Sequence, residues 1–418
     1  MTTAARARVI VGGCGVVLSA CVTAWARGGD QTDHVPRFLA AFAVAFGAYL
    51  LALHASSGFG PREVRVCVAL AIAWRAALVL APPLLSDDIY RYVWEGRIQL
   101  HGGNPYVWED RPDGVRWTAL RDDVWERVTH KFYSALYPPA WQIAARAVVA
   151  VRDSVTAMKA FLVACEVGAL ALLAWMLKRR ELPPSRMLVM AWSPLALVEI
   201  AGSGHNDAFG LLWMVVALAA LESGRGVLAA VAGAIAFDAK ILPGFVAAAW
   251  ARRFRWWHIA LAAVVAVALF VPYASAGSGL WHSAIRYARY WRFNETLFAA
   301  LRLVFDVDAA VTASTVILVV TALVVAWRRT ETATAGLLVV AASLLLAANV
   351  LPWYALWLLP FLVLVDAPAA LLFTGTVTLA YLVYPDWRTS GEWYLPWSVR
   401  ALEYAPCLVV ALLSRRKP

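Results

Sequence analysis

Residues 157–177, AMKAFLVACEVGALALLAWML, form an apolar run that is followed directly by Lys178, Arg179 and Arg180. A helix needs roughly 20 apolar residues to cross the hydrocarbon core of a bilayer. Basic residues flank such helices mainly on the cytoplasmic side. The run therefore predicts a transmembrane helix whose C-terminal end faces the cytoplasm.

Similar apolar runs recur along the whole chain, of which 62% is hydrophobic and only 15% charged, with a mean hydropathy of +0.66. This composition excludes a soluble globular protein. It predicts an all-α polytopic membrane protein with about 12–14 transmembrane helices, formed as one integral-membrane domain over residues 1–418. The other runs are 9–26, 36–55, 64–84, 187–201, 206–222, 257–274, 309–327, 333–349, 351–365, 368–384 and 397–413.

Two stretches do not fit a simple crossing. Residues 226–251 are interrupted by Asp238, Lys240 and Pro243, which predicts two short helices that meet at one face. Residues 138–151 are short and contain Gln142 and Arg146, which predicts a partly embedded helix that returns to the side it came from.

The distribution of basic residues predicts the orientation. The orientation with both termini in the cytoplasm places 17 basic residues inside, including Arg225, Arg255 and the C-terminal Arg415, Arg416 and Lys417. It leaves two long loops outside, residues 85–136 and 275–308, and the first of them is expected to carry amphipathic juxtamembrane helices. Because the net charge of +10 is divided among short clusters beside apolar runs, membrane lipids are expected partners and nucleic acid is not.

The first outer loop begins with a polar helical pattern. Asp88, Arg91, Tyr92 and Glu95 have i, i+3, i+4 and i+7 spacing, so they share one helix face. The adjacent carboxylates Asp87 and Asp88 suit general-base chemistry, because like charge and partial desolvation raise the pKa of one of them. A solvated juxtamembrane helix with Arg91 and Glu95 as a surface pair remains the alternative.

A second polar turn contains His205, Asn206 and Asp207 between two predicted spans. Ionisable residues near a membrane are costly and often functional. Gly202 and Gly204 would let the backbone line a cavity. Helix capping by Asn206 or Asp207 remains the alternative.

Further polar and aromatic residues are predicted on the same outer face. Lys240 lies at the helix break, where pairing with a phosphate or a carboxylate is expected, and Arg292 could meet a lipid phosphate. The remaining candidates for this face are Tyr137, Asn294, Asn349, Trp353 and Tyr354.

Several of these segments together resemble a known superfamily. The strings SDDIYRYVWEGRI, NPY, YPPAW, GHNDAFGLLW, AKILP, YWRFNETLF and NVLPWYALWLLPFL lie between residues 86 and 365. They resemble the GT-C integral-membrane glycosyltransferases, and in particular bacterial polyprenol-phosphate-mannose-dependent mannosyltransferases of the α-1,6-mannopyranosyltransferase group and family 87.

The resemblance implies transfer of a hexose, with mannose favoured, from a polyprenyl-phosphate donor to a glycan or lipid-linked acceptor. The reaction would take place at the outer face of the bacterial cytoplasmic membrane, with Asp88 as general base and Asp87 beside it. Lys240 and Arg292 would meet the donor phosphate. The implied substrate-binding residues are Arg91, Tyr92, Glu95, Tyr137, His205, Asn206, Asp207, Lys240, Arg292, Asn294, Asn349, Trp353 and Tyr354.

Neither a cofactor nor a metal is expected, although Asp87, Asp88 and Asp207 could together hold a hard cation. No soluble carbohydrate-binding domain is expected within residues 1–418. Two other classes stay open: a transporter or flippase of lipid-linked sugars, since transporters also use broken helices, and a non-catalytic accessory subunit.

Overall fold

The computed structural model describes residues 2–414, so the basic residues Arg415, Arg416 and Lys417 lie outside the described part. Across residues 2–414 there is no β-strand, and extended pairing is limited to an isolated parallel bridge between Phe293 and Asn349. The prediction of an all-α protein is confirmed. In chain order, the helices of eight or more residues are α1 (Thr3–Gly28), α2 (Val35–Ala55), α3 (Pro61–Leu80), α4 (Asp88–Leu100), α5 (Pro139–Val151), α6 (Val155–Arg179), α7 (Asp207–Glu222), α8 (Gly226–Phe237), α9 (Leu242–Ala249), α10 (Trp256–Phe270), α11 (Gly279–Tyr290), α12 (Val307–Trp327), α13 (Thr332–Leu346), α14 (Pro368–Thr376), α15 (Val383–Ser390) and α16 (Trp397–Ser414).

Seven helical segments of the described chain are long and apolar enough to cross a membrane, which confirms a polytopic membrane protein. They are Thr3–Gly28, Val35–Gly58, Val155–Arg179, Trp256–Ala276, Val307–Trp327, Pro368–Ser390 and Trp397–Ser414. Shorter apolar helices are Pro139–Val151, Pro194–Ser203, Gly226–Phe237, Thr332–Leu346 and Pro352–Leu364. The total of 12–14 crossings and the orientation stay predictions.

The described residues form two compact units. The first comprises the residues up to Leu85, Val167–Ser203 and those from Val350 onward. The second comprises Ser86–Glu166 and Gly204–Asn349, so that it contains both predicted outer loops.

In the first unit, the run at 187–201 is not the continuous helix that its composition predicts. It divides into Leu188–Ala191, Pro194–Ala196 and a π-helix at Leu197–Ser203. Pro194 has no amide hydrogen to donate to the carbonyl of Met190, four residues earlier. The buried guanidinium of Arg75 contacts that carbonyl at 3.5 Å and donates to the carbonyl of Ala191 at 2.8 Å, which stabilises the break.

In the second unit, the interrupted run at 226–251 forms the two short helices α8 and α9, as predicted. The short run at 138–151 is the helix α5, which begins at Pro139 because proline fits the first helical position. The backbone carbonyl of Asp238, at the end of α8, accepts the amide of Ala140 at 3.0 Å. The break after α8 therefore caps the start of α5.

Helices α4 and α5 pack closely along their length because Gly96 has no side chain. A Cβ atom at Gly96 would lie 2.7 Å from a methyl group of Val149 and 2.8 Å from the carbonyl oxygen of Ala145. Both distances are shorter than real Cβ contacts, so any larger residue forces the two helices apart.

We expect Gly96→Ala to lower the thermal midpoint of the detergent-purified protein, since overpacking costs about 1–3 kcal/mol. Gly47→Ala is the matched control, because Gly47 lies within α2 and no neighbouring atom lies within 4 Å of its Cβ position. Alanine is favoured over glycine in a helix, so the control should keep or raise the midpoint. Equal midpoints for the two variants would contradict the close α4–α5 packing.

Candidate active site

Asp88 is the first residue of α4, and its carboxylate meets two tyrosines in the second unit. The Tyr137 hydroxyl donates to Asp88 Oδ2 at 3.1 Å, and the Tyr92 hydroxyl lies 3.5 Å from the same oxygen. Tyr92 follows Asp88 by four residues, so the helix places both on one face. About a third of the Asp88 side chain, 32%, is exposed, so a ligand can reach the carboxylate.

The second polar turn joins this cluster. The Tyr92 hydroxyl lies 3.3 Å from the Tyr137 hydroxyl and 3.4 Å from Asn206 Oδ1. His205 is buried, and its Nδ1 lies 3.9 Å from Asp88 Oδ2. Residues that are more than a hundred positions apart in the sequence therefore surround one carboxylate.

Lys240 contributes a cation through an ion pair with Asp207. Its Nζ atom donates to the two carboxylate oxygens of Asp207 at 2.6 and 2.7 Å. Asp207 is completely buried, whereas 17% of the Lys240 side chain is exposed. The same Nζ lies 5.8 Å from the ring centre of Tyr137. Of the two partners expected for Lys240, the carboxylate is the one observed.

The electrostatic surroundings shift the pKa of Asp88. Burial raises the pKa of Asp88, while the hydrogen bond from Tyr137 and the charges of Lys240 and Arg91 oppose the increase. Burial, assisted by the charge of Lys240, lowers the pKa of His205 well below its usual value, so His205 is neutral at pH 7. A carboxylate with a raised pKa beside neutral hydrogen-bonding groups is suited to act as a general base.

The N-terminal part of the chain matches a known protein family. The profile of a family described as Alpha-(1->6)-mannopyranosyltransferase, N-terminal domain, matches residues 3–252. The chain belongs to this family. The matched region includes the residues of the Asp88 cluster, from Asp88 to Lys240.

A relative in the α-1,6-mannopyranosyltransferase family gives the extent of the similarity. Over 200 residues, the chain is 32% identical to Alpha-(1->6)-mannopyranosyltransferase A of Mycobacterium tuberculosis (strain ATCC 25618 / H37Rv). The aligned region covers 45% of this chain and 37% of the relative, which is less than two thirds of that protein's length.

In this member of the α-1,6-mannopyranosyltransferase family, Arg91 and Glu95 support the first loop. Only 1% of the Glu95 side chain is exposed, and its Oε1 lies 3.3 Å from Arg91. Arg91 also donates to the backbone carbonyls of Thr129 and His130, both at 2.7 Å. The interpretation of this pair as a solvated surface pair is therefore wrong. Contact of Arg91 and Glu95 with substrate stays a prediction.

The buried network extends from Glu95 through residues that the sequence did not single out as site residues. Gln142 donates to Glu95 Oε2 at 2.6 Å, and Gln99 donates to the side-chain oxygen of Gln142 at 3.2 Å. The Tyr273 hydroxyl then donates to Gln99 at 2.8 Å. The i, i+4 spacing of Glu95 and Gln99 could have indicated that their side chains share one helix face. No local sequence pattern indicated Tyr273.

The remaining candidates occupy different surroundings. Asp87 is exposed. Arg292 donates to the backbone carbonyls of Ala288, Arg289 and Trp291 near the end of α11. Its role at a donor phosphate stays a prediction.

Asn294 and Asn349 are buried beside the Phe293–Asn349 bridge, and the Asn349 amide donates to the Tyr287 hydroxyl at 2.6 Å. Trp353 and Tyr354 belong to the first unit, where their rings pack edge to face with centres 6.0 Å apart. Contact of these four residues with substrate stays a prediction.

Residues 2–414 contain no group of three or more His, Cys, Asp or Glu side chains arranged to hold a metal ion. Asp207 is paired with Lys240, and Asp87 is exposed. The expectation that no metal is needed stays a prediction.

We expect Lys240→Met to lower the thermal midpoint strongly, because it leaves the buried charge of Asp207 without its partner, a loss of about 3–5 kcal/mol. The double variant Asp207→Asn/Lys240→Met removes both charges and should recover most of the midpoint. A double variant at least as destabilised as Lys240→Met would show that the two charges do not stabilise each other.

Proposed function

We propose that the protein is an α-1,6-mannosyltransferase that moves mannose from a polyprenyl-phosphate carrier to a glycan or lipid-linked acceptor. The observation that carries this proposal is the setting of the Asp88 carboxylate. The carboxylate is partly exposed, accepts a hydrogen bond from Tyr137 and lies in the same cluster as the Asp207–Lys240 ion pair. Membership of the α-1,6-mannopyranosyltransferase family supports the choice of sugar and linkage. The lipid carrier and the base role of Asp88 are implied by the resemblance to the GT-C glycosyltransferases, and the chemistry of the residues is compatible with both.

In the proposed reaction, Asp88 accepts the proton of the acceptor hydroxyl. The acceptor oxygen bonds to the anomeric carbon of the sugar, the bond from that carbon to the phosphate oxygen breaks, and polyprenyl phosphate leaves. General-base assistance typically contributes about 100-fold to 10,000-fold in rate. Asp88 suits this role better than Asp87, because Asp88 lies inside the polar cluster and Asp87 is exposed.

An apolar groove beside the cluster supports a lipid-linked donor. The groove has a volume of about 610 Å³ and is lined by α5 together with residues such as Phe161, Phe209 and Leu269. Trp141 connects it to the cluster, because its ring centre lies 4.9 Å from Tyr92 and 5.9 Å from Phe209. A polyprenyl chain in this groove would bring its phosphate near Lys240.

The reaction is assigned to the outer membrane face from the predicted orientation. Helices α7 and α8 connect the cluster at one end to Ser223, Gly224 and Arg225 at the other. With 12 residues, α8 separates these ends by about 18 Å. Arg225 belongs to the basic residues that predict the cytoplasmic side, so the same prediction puts the cluster on the external side.

The direct test is Asp88→Asn, which preserves side-chain shape and removes basicity. With polyprenyl-phosphate-mannose as donor, we expect turnover to fall at least about 100-fold, while donor binding is retained. Products would be identified by mass spectrometry. Asp87→Asn is the matched control and should stay within a few-fold of the unmodified protein. If both variants retained full turnover, neither carboxylate would be the base.

A second test uses the pH dependence of the same reaction. Only the deprotonated form of Asp88 accepts a proton, so activity should rise as pH increases through the raised pKa of Asp88. The Tyr137 hydrogen bond lowers that pKa, so Tyr137→Phe should raise it further and move the acid limb of the profile to higher pH. Tyr92→Phe, with its weaker 3.5 Å contact, should cause a smaller shift. A shift to lower pH in Tyr137→Phe would contradict the assignment of Asp88.

A further inference from the structure

A second groove lies at the end of α8 opposite to Lys240, in the same unit. It has a volume of about 660 Å³. Two exposed arginines, Arg225 and Arg255, line it together with Trp257, His258 and Leu228. No acidic residue of the described chain lines the groove. Its polar end is therefore cationic.

Two helices begin side by side at this groove. A Cβ atom at Gly226, the first residue of α8, would lie 2.2 Å from the ring of His258 in the first turn of α10. The starts of α8 and α10 are therefore in contact. Helix N-termini carry partial positive charge and unpaired amide groups. They add to the two guanidinium groups, whose planar donors suit phosphate oxygens.

The groove also has an apolar side. Val227 and Leu228 are 50% and 41% exposed, and in α10 the buried residue is His258 alone. Trp256, at the start of α10, is 80% exposed. Tryptophan at the end of an apolar helix marks the level of the lipid headgroups. The cationic end of the groove therefore lies at headgroup level, and its apolar side continues toward the acyl chains.

These features distinguish a lipid from a free phosphate ion. A free phosphate would use only the arginines and the helix ends, and would gain nothing from the adjacent lipid-facing surface of Val227, Leu228 and α10. A phospholipid uses both parts, since its phosphate meets the cations and its chains cover the apolar surface. Two arginines exceed the single charge of one phosphate, so they favour a lipid with net negative charge.

We propose that this groove binds an anionic phospholipid, with a headgroup phosphate between Arg225 and Arg255 and the acyl chains along α8 and α10. The predicted orientation assigns the lipid to the cytoplasmic leaflet. The length of the α7–α8 hairpin separates this site from Asp88. The proposal does not depend on the transfer reaction.

The test titrates the detergent-purified full chain with cardiolipin, and separately with phosphatidylcholine of the same acyl chains, in native mass spectrometry. The unmodified protein should bind cardiolipin at least tenfold more tightly than phosphatidylcholine. Arg225→Gln/Arg255→Gln should weaken cardiolipin binding at least about tenfold, since two charge-assisted contacts are lost. Both side chains are exposed, so folding should be retained.

The matched control is Arg62→Gln/Arg65→Gln, which removes the same charge from exposed positions outside the groove. It should leave cardiolipin affinity within about twofold. Equal losses in the two double variants would show a general charge effect and overturn the site. Millimolar inorganic phosphate should not displace cardiolipin, and full displacement would identify a free-phosphate site instead. Equal affinity for the two lipids would also overturn the proposal.

Discussion

The ion pair between Asp207 and Lys240 is the contact on which the geometry of the Asp88 cluster depends. It connects the first residue of α7 to the break between α8 and α9, and Asp207 is completely buried. An unpaired buried carboxylate would be strongly unfavourable, so the two elements must approach each other. The same break caps α5 through the carbonyl of Asp238, and α5 directly follows Tyr137. The hydroxyl that contacts Asp88 is therefore positioned in part by an ion pair that does not itself contact it.

The polar interior of the second unit follows from one constraint, which is that polar groups in a membrane protein must find partners within the protein. Glu95, Gln142, Gln99 and Tyr273 satisfy one another in a chain of hydrogen bonds. Arg91 connects this chain to the first loop. The loop that carries Tyr137 is consequently held in place instead of moving freely in solvent. The first unit meets the same constraint differently, since Arg75 bonds the carbonyls exposed by Pro194.

The two grooves of the second unit differ in the amounts of apolar and cationic surface that line them. The groove beside Trp141 is almost entirely apolar and adjoins the cluster, which suits a long lipid chain whose phosphate lies elsewhere. The groove at Arg225 and Arg255 combines both kinds of surface, which suits a complete phospholipid. Helices α7 and α8 connect the two ends, so one helical hairpin carries the proposed catalytic cluster at one end and the proposed lipid groove at the other.

The sequence by itself determined the all-α membrane class, because apolar runs of bilayer length have few other stable structures. It also indicated Asp88, the His205–Asp207 turn and the break at Lys240, because charged residues beside such runs are energetically unfavourable and are therefore candidates for function. Only the tertiary structure decided that Lys240 pairs with Asp207, that Tyr137 contacts Asp88, and that Glu95 is buried in its ion pair with Arg91. Two of these contacts join residues 33 and 49 positions apart, and the third buries a carboxylate that helical spacing alone leaves on the surface. Local sequence patterns show helical periodicity and the unfavourable placement of charged residues near a membrane. Pairing partners depend on how the helices pack, and that packing is a property of the whole chain.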